Sequence, residues 1–241
     1  MSKKLILQDL VIIIVAKNHK PKILSLDFLK CSGIIPSDWE LVRQPISTNN
    51  VAQVMFTNGV AITAEPERVV FTQSIADKDA ESILIPEIAR KYAQALPNME
   101  FSAVSINPRG YVPFSGSQDN ARKYLTQNLL SPGAWQSEGE APLRASVNLV
   151  YKLQRSPFYL NIAEAAIKNE DETTTPIVIF GGSFSYEIDG NQEVEKLGLL
   201  NQFIDNWQAD LSAFSNIINT KFVAESAENI TEEKDLITIN A

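Results

Sequence analysis

The chain holds one cysteine, Cys31, and one histidine, His19, in 241 residues. A single thiol cannot form an intrachain disulfide, and neither residue has the neighbours that a zinc or redox spacing requires. No metal site and no cofactor are therefore expected. Cys31 sits in a short apolar stretch, where a thiol behaves as a small hydrophobe, so hydrolase chemistry dependent on Cys31 or His19 is not expected either. Positive charge is also in short supply: 21 Lys and Arg stand against 29 Asp and Glu, a formal net charge of −8. Such a surface repels phosphate backbones and anionic membranes, which argues against nucleic acid as a partner. Long apolar runs are missing too. Val11 to Ala16 is far shorter than the roughly 20 residues that cross a bilayer. Gln8 and Asp9 interrupt it, Lys17-Asn18-His19-Lys20 follows it, and no small-x-small cleavage site appears. The expectation is a buried strand rather than a signal peptide, in a chain of cytoplasmic type.

What is present is enough apolar material, 44% of residues, for a full core. Lys4 to Ala16 reads as a strand that is β-branched on both faces at Val11 to Val15, the pattern of a strand covered on two sides. Ser25 to Lys30 reads as a short helix capped by Ser25. Four strands follow: Trp39 to Ile46, Val51 to Thr57, Val60 to Glu65 and Arg68 to Ile75. Asn58-Gly59 makes the tight hairpin between the second and third of these. A helix spans Leu84 to Leu96, with Pro86 in its first turn. The order then begins again. Met99 to Asn107 is a strand, Pro108-Arg109-Gly110 a loop, and Ser117 to Leu130 a helix. Leu143 to Leu153, Phe158 to Ile167 and Ile177 to Ile188 are strands. A long helix runs from Gln192 to Lys221, and an acid-rich tail closes the chain, in which Asp235 to Ile239 could add an edge strand. Gly181-Gly182 is read as a bend in the last long strand.

The chain is thus expected to be α+β, with antiparallel meander sheets backed by helices. Its halves, 1–97 and 98–223, share the order strand, helix, strands, helix, and 224–241 forms the tail. Local text agrees: a helix end with paired apolar residues, a proline turn and a tryptophan occur at Leu29 to Trp39 and again at Leu125 to Trp135. Two copies make a duplicated domain whose halves join through their first strands, rather than a solenoid. This element order resembles the duplicated architecture of TATA-binding-protein-like folds and the helix-grip folds near them. The resemblance implies a fold and no function.

Alternation assigns the faces. Val147, Leu149, Tyr151, Phe184 and Tyr186 should meet the helices, and Ser146, Asn148, Ser183, Ser185 and Glu187 should face away. The outward face then reads as neutral and hydroxyl-rich, without the Lys, Arg and apolar wedges of a DNA-reading saddle. Lys17, His19, Lys20 and Lys22 form the densest basic run, with Arg109 at the corresponding point of the second half. Together they are the candidate site for an anion or an acidic partner, the acidic tail among them. The long helix carries Leu197, Leu200, Ile204, Trp207, Leu211, Phe214 and Ile218 at spacings of three and four, a seam for its own sheet or for a second copy in a homodimer. No nucleophile elbow, HExxH or phosphate loop accompanies the acid pairs. The leading expectation is a non-catalytic binding or protein-interaction protein with an unknown partner. The alternative is a small-molecule binder or enzyme with a pocket between sheet and helices, which a cavity lined by Tyr151, Tyr186 or Trp207 would favour.

Overall fold

The β-branched run at Val11 to Val15 builds β1 (Ile6–Ala16), and β1 takes the centre of the sheet. A computed structural model describes residues 3–114, 117, 119–141, 143–169, 172–190 and 192–224; most of the acidic tail, including Asp235 to Ile239, lies outside the described residues. Four strands follow β1 in the first half: β2 (Ile46–Ser47), β3 (Ala52–Met55), β4 (Val60–Glu65) and β5 (Arg68–Ser74). The second half adds β6 (Phe101–Pro113), β7 (Ser146–Lys152), β8 (Pro157–Lys168) and β9 (Thr174–Glu187). All nine pair antiparallel in one sheet, in the order β2-β3-β4-β5-β1-β6-β9-β8-β7. In each half the first strand pairs with the last, and the two first strands pair with each other from Ile6↔Tyr111 to Ala16↔Phe101.

Helices cover one face. They are α1 (Leu26–Cys31), α2 (Ile85–Gln94), α3 (Asn120–Lys123), α4 (Glu193–Asp205) and α5 (Trp207–Ile217). Ser25 caps α1 by accepting from the Phe28 amide at 3.1 Å, and Pro86 occupies the first turn of α2, where its missing N–H costs nothing. Leu10, Ile12 and Ile14 of β1 meet Val54, Ile62, Phe71, Val104, Ile106, Phe180 and Phe184 in a single core that takes in Tyr92 of α2 and Phe214 of α5. Leu200, Ile204, Trp207, Phe214 and Ile218 of the seam are all buried in it. Among the described residues no helix is long and apolar enough to cross a membrane.

Four expectations are corrected. The strand expected over Trp39 to Ile46 shrinks to an isolated bridge, Leu41↔Phe56, and the two residues of β2, because Pro45 has no N–H to offer a neighbour. Pro108-Arg109-Gly110 is not a loop: β6 runs straight through it. The β6–β9 ladder lapses at Asn107 and Pro108 and resumes in register at Arg109↔Gly181, so the proline costs local pairing rather than the strand. The Asn107 side chain donates to the Val11 carbonyl at 3.2 Å and to Ser105 Oγ at 2.9 Å at this point. Gly181-Gly182 neither interrupts β9 nor bulges from it, since β8 pairs with β9 residue for residue from Phe158↔Phe184 to Lys168↔Thr174. The helix expected over 192–221 breaks at Asn206, whose amide turns back to the Phe203 carbonyl at 3.2 Å.

Candidate functional site

The sheet's second face distinguishes this molecule. Along β1, Leu10, Ile12, Ile14 and Ala16 are buried against helices, while Val11, Ile13 and Val15 between them are half-buried on the other side. Val11, Ile13, Val15 and Val70 stand outside the packed core, and so do Tyr111 and Ile179, which lie beyond Arg109 and Gly181 as a separate apolar spot. Ile13 pairs with Val70 on β5 and Ser105 on β6, so the aliphatic patch straddles the seam between the halves. Hydroxyls border it: Thr72 beside Val11, and Ser105 beside Ser185. The expected hydroxyl-rich face is therefore correct for β9 and incomplete for β1, because the β-branched centre of β1 faces both ways.

A polar row crosses the same face one pleat further on. Its register runs Ser74, Asp9, Arg109, Gly181, Asn161 and Asn148, one residue from each of six neighbouring strands. Asn161 donates to Asn148 Oδ1 at 2.8 Å. Burial pushes the Asp9 carboxyl above its ordinary value, and the positive charge of Arg109 beside it pulls the other way. Arg109 is exposed, and a side chain built at Gly181 would meet nothing within 4 Å. The guanidinium thus lies beside open space, next to the aliphatic patch.

The basic loop is elsewhere. It leaves β1 at Ala16, whereas Arg109 pairs with Asp9, and the strand between spans about 23 Å at the usual rise per residue. Duplication therefore does not bring Arg109 to Lys17, Lys20 and Lys22. Those three lysines are exposed, and none makes a side-chain hydrogen bond or ion pair among the described residues. His19 turns inward. It is 4% exposed, with Nε2 2.8 Å from the Tyr92 hydroxyl and Nδ1 3.3 Å from the Glu65 carbonyl, so its ring ties the loop to α2 and β4. Neither contact is with Cys31, which is exposed at the end of α1.

Burial lowers the His19 pKa from its ordinary 6.5, partly opposed by the bond to Glu65. The same burial pushes the Tyr92 phenol well up. The unfolded chain therefore binds a proton at higher pH than the folded one. Stability from the neutral ring is fully present above about pH 6.5 and is lost as pH falls through the folded value. Urea unfolding should give a wild-type free energy that declines from pH 7 to pH 5, and His19→Gln should flatten that decline. Equal slopes in the two proteins would show that His19 does not titrate in this way.

A second charged cluster holds α3 to β8. Arg122 donates to Asp119 at 2.8 Å and pairs with Glu164 at 3.2 Å, and Arg144 reaches Glu164 at 3.5 Å, around a cavity of about 260 Å³. Two guanidinium groups balance two carboxylates, which suits a clamp better than a receptor for a charged ligand. Sequence reasoning missed three buried polar residues, Gln73, Ser156 and Asp210. Asp210 carried a readable signal, since it lies three residues after Trp207 and four before Phe214, on the helix seam itself. With no group of His, Cys, Asp and Glu suited to a metal ion among the described residues, the open face is the principal candidate site. No known family model matches the chain, and no curated protein matches it closely enough to count as a relative.

Proposed function

We propose that the protein is a non-catalytic interaction protein that docks a protein segment on the open face of its sheet. The carrying observation is the mismatch at β1: its sequence is apolar on both faces, while the described helices cover only one. A strand with Val11, Ile13 and Val15 outward gains when those side chains leave water. The segment it fits has an apolar centre for this patch and a carboxylate for Arg109, an exposed cation at its border. The reading takes the halves as two copies of one unit, in the element order of TATA-binding-protein-like folds. The mirrored strand order about the β1–β6 seam supports that view. The exposed lysines 17, 20 and 22 would then act as a separate electrostatic patch for an acidic partner, effective within the roughly 8 Å over which charge is felt at physiological salt.

A photo-crosslinking residue at Thr72, on the open face, should yield an adduct of one defined mass in the native cell. The same residue at Ser212, exposed on α5, should not. Ile13→Lys should abolish the Thr72 adduct while changing stability by less than about 1 kcal/mol, because the lysine head can reach water. An adduct of twice the chain mass would make the occupant a second copy instead. Equal labelling from both positions would remove the case for this face.

A further inference from the structure

The hairpin turn between β7 and β8 carries a second, independent site. Leu153 donates its amide to the Ser156 carbonyl at 3.2 Å, which closes the turn and turns Arg155 and Ser156 toward α5. Arg155 Nη2 donates to Asp210 Oδ1 at 2.6 Å, and the Tyr186 hydroxyl donates to Asp210 Oδ2 at 2.7 Å. Asp210 is wholly buried, and its burial raises the carboxyl pKa against the opposing pull of both partners. Tyr186 stacks on Phe203 of α4, with ring centroids 4.8 Å apart, which fixes the phenol. Each carboxylate oxygen is thus occupied, and the guanidinium is held in one orientation with 44% of the Arg155 side chain exposed.

Beside this cluster lies a cavity of about 330 Å³, walled by Arg155, Ser156, Pro157, Tyr186 and Phe203, with Glu187 among its lining. Ser156 is 6% exposed, and its Oγ, itself shielded from solvent, lies beside the Tyr186 hydroxyl without a hydrogen bond of good geometry. A buried hydroxyl left poorly paired is costly, so Ser156 gains by turning its Oγ toward a ligand atom in the cavity that the residue lines.

We propose that Arg155 and Ser156 form the polar end of a small-molecule site that takes a ligand with one carboxylate. A guanidinium has five N–H donors, and the contacts with Asp210 and the Tyr186 hydroxyl leave others free, so the exposed edge can still grip a carboxylate. The Asp210 and Tyr186 contacts hold that edge in place before the ligand arrives, which limits the ordering cost of binding. The Ser156 hydroxyl, turned from beside Tyr186 into the cavity, supplies the next donor. Phe203 and Pro157 give the rest of the ligand an apolar wall. Glu187 disfavours a second negative charge and tolerates an ammonium group. The cavity, at the lower end of ligand-pocket sizes, suits a single-ring metabolite rather than a nucleotide.

Benzoate, phenethylamine and succinate, titrated separately into the full chain and followed by backbone amide shifts, test the assignment. Benzoate should move the amides of 153–156 at concentrations up to about 10 mM, and phenethylamine and succinate should not. Arg155→Gln should weaken benzoate binding by about tenfold or more, and Ser156→Ala by several-fold. Ser156→Ala should change Tm little, since the hydroxyl it removes makes no well-formed hydrogen bond. That variant keeps the test open if Arg155→Gln fails to fold. No benzoate response in this turn, equal binding of phenethylamine, or unchanged benzoate affinity in Ser156→Ala would overturn the site.

Discussion

Replacing Gln73 by leucine should lower the unfolding free energy by about 2–4 kcal/mol, a fall in Tm of roughly 5–15 °C. Gln73 lies in β5 on the helix side, wholly buried. Its Oε1 accepts from the amides of Leu84 at 2.7 Å and Ile85 at 3.3 Å, and its Nε2 donates to the Ser82 carbonyl at 2.8 Å. Leu84 is the cap residue of α2 and makes no side-chain cap bond, so a strand side chain does that work. Leucine would leave two amides and a carbonyl without partners, at about 1–3 kcal/mol for each unpaired buried group. Its own burial returns about 2 kcal/mol, which is why the net loss stays below the sum. Gln73→Glu separates this account from simple packing. A carboxylate still accepts from the amides but repels the Ser82 carbonyl, while a protonated carboxyl can donate to it as the amide does. Gln73→Glu should therefore recover part of its lost stability on acidification, measured against the wild type at each pH. A Gln73→Leu variant as stable as the wild type would show that α2 finds its cap elsewhere.

Elements whose cause is local were legible in the sequence. The Asn58-Gly59 hairpin forms because Gly59 takes φ +86°, open to glycine at little cost. Ser25 before an apolar pair marked α1, and alternation assigned the two faces of β7 and β9. What failed depends on residues distant in sequence. Proline usually ends a strand, so Pro108 read as a loop; only the neighbours β1 and β9 on either side hold β6 extended through it. Pro45 produced the opposite error, because its strand lies near the sheet edge with a single neighbour to hold it.

The candidate site divides in the same way. Arg109 stands in the sequence at the point of the second half that corresponds to the basic loop, but the fold places it about 23 Å away. His19 looked like a member of a charged run, but periodicity says nothing about a loop residue turning inward toward Tyr92. The double-faced apolarity of β1 was visible from the start. It read as cover on both sides, and the structure supplies one of them. Asp210 sat on a seam position that a hydrophobic count passes over, although an acid at such a spacing needs a buried partner. Its partner, Arg155, lies 55 residues earlier in a turn, a pairing no local pattern encodes.

Gly182→Ala should destabilise the fold by about 1–3 kcal/mol, although alanine in an ordinary strand is the better residue. The glycine faces the helices, with Phe214 of α5 and Phe158 of β8 against it. A Cβ there would stand 2.9 Å from Phe214 Cδ2, 3.0 Å from Phe158 Cε2 and 3.2 Å from Phe214 Cε2. Both rings are wholly buried, and Phe158 also stacks on Phe184 at 4.5 Å, so neither has a free end to swing aside. The methyl can enter only if α5 lifts from the sheet or a ring leaves its rotamer, and a close-packed core resists both. A bulge is not the cause, since β8 pairs with β9 through Gly182 without a shift of register. The two causes can be separated by a double-mutant cycle with Phe214→Leu, which costs stability alone but clears the space above the glycine. If ring contact sets the cost, the double variant should recover about 1 kcal/mol or more relative to the sum of the single changes. Strict additivity, or a stabilised Gly182→Ala, would mean that the close approach of α5 is not what requires glycine at this position.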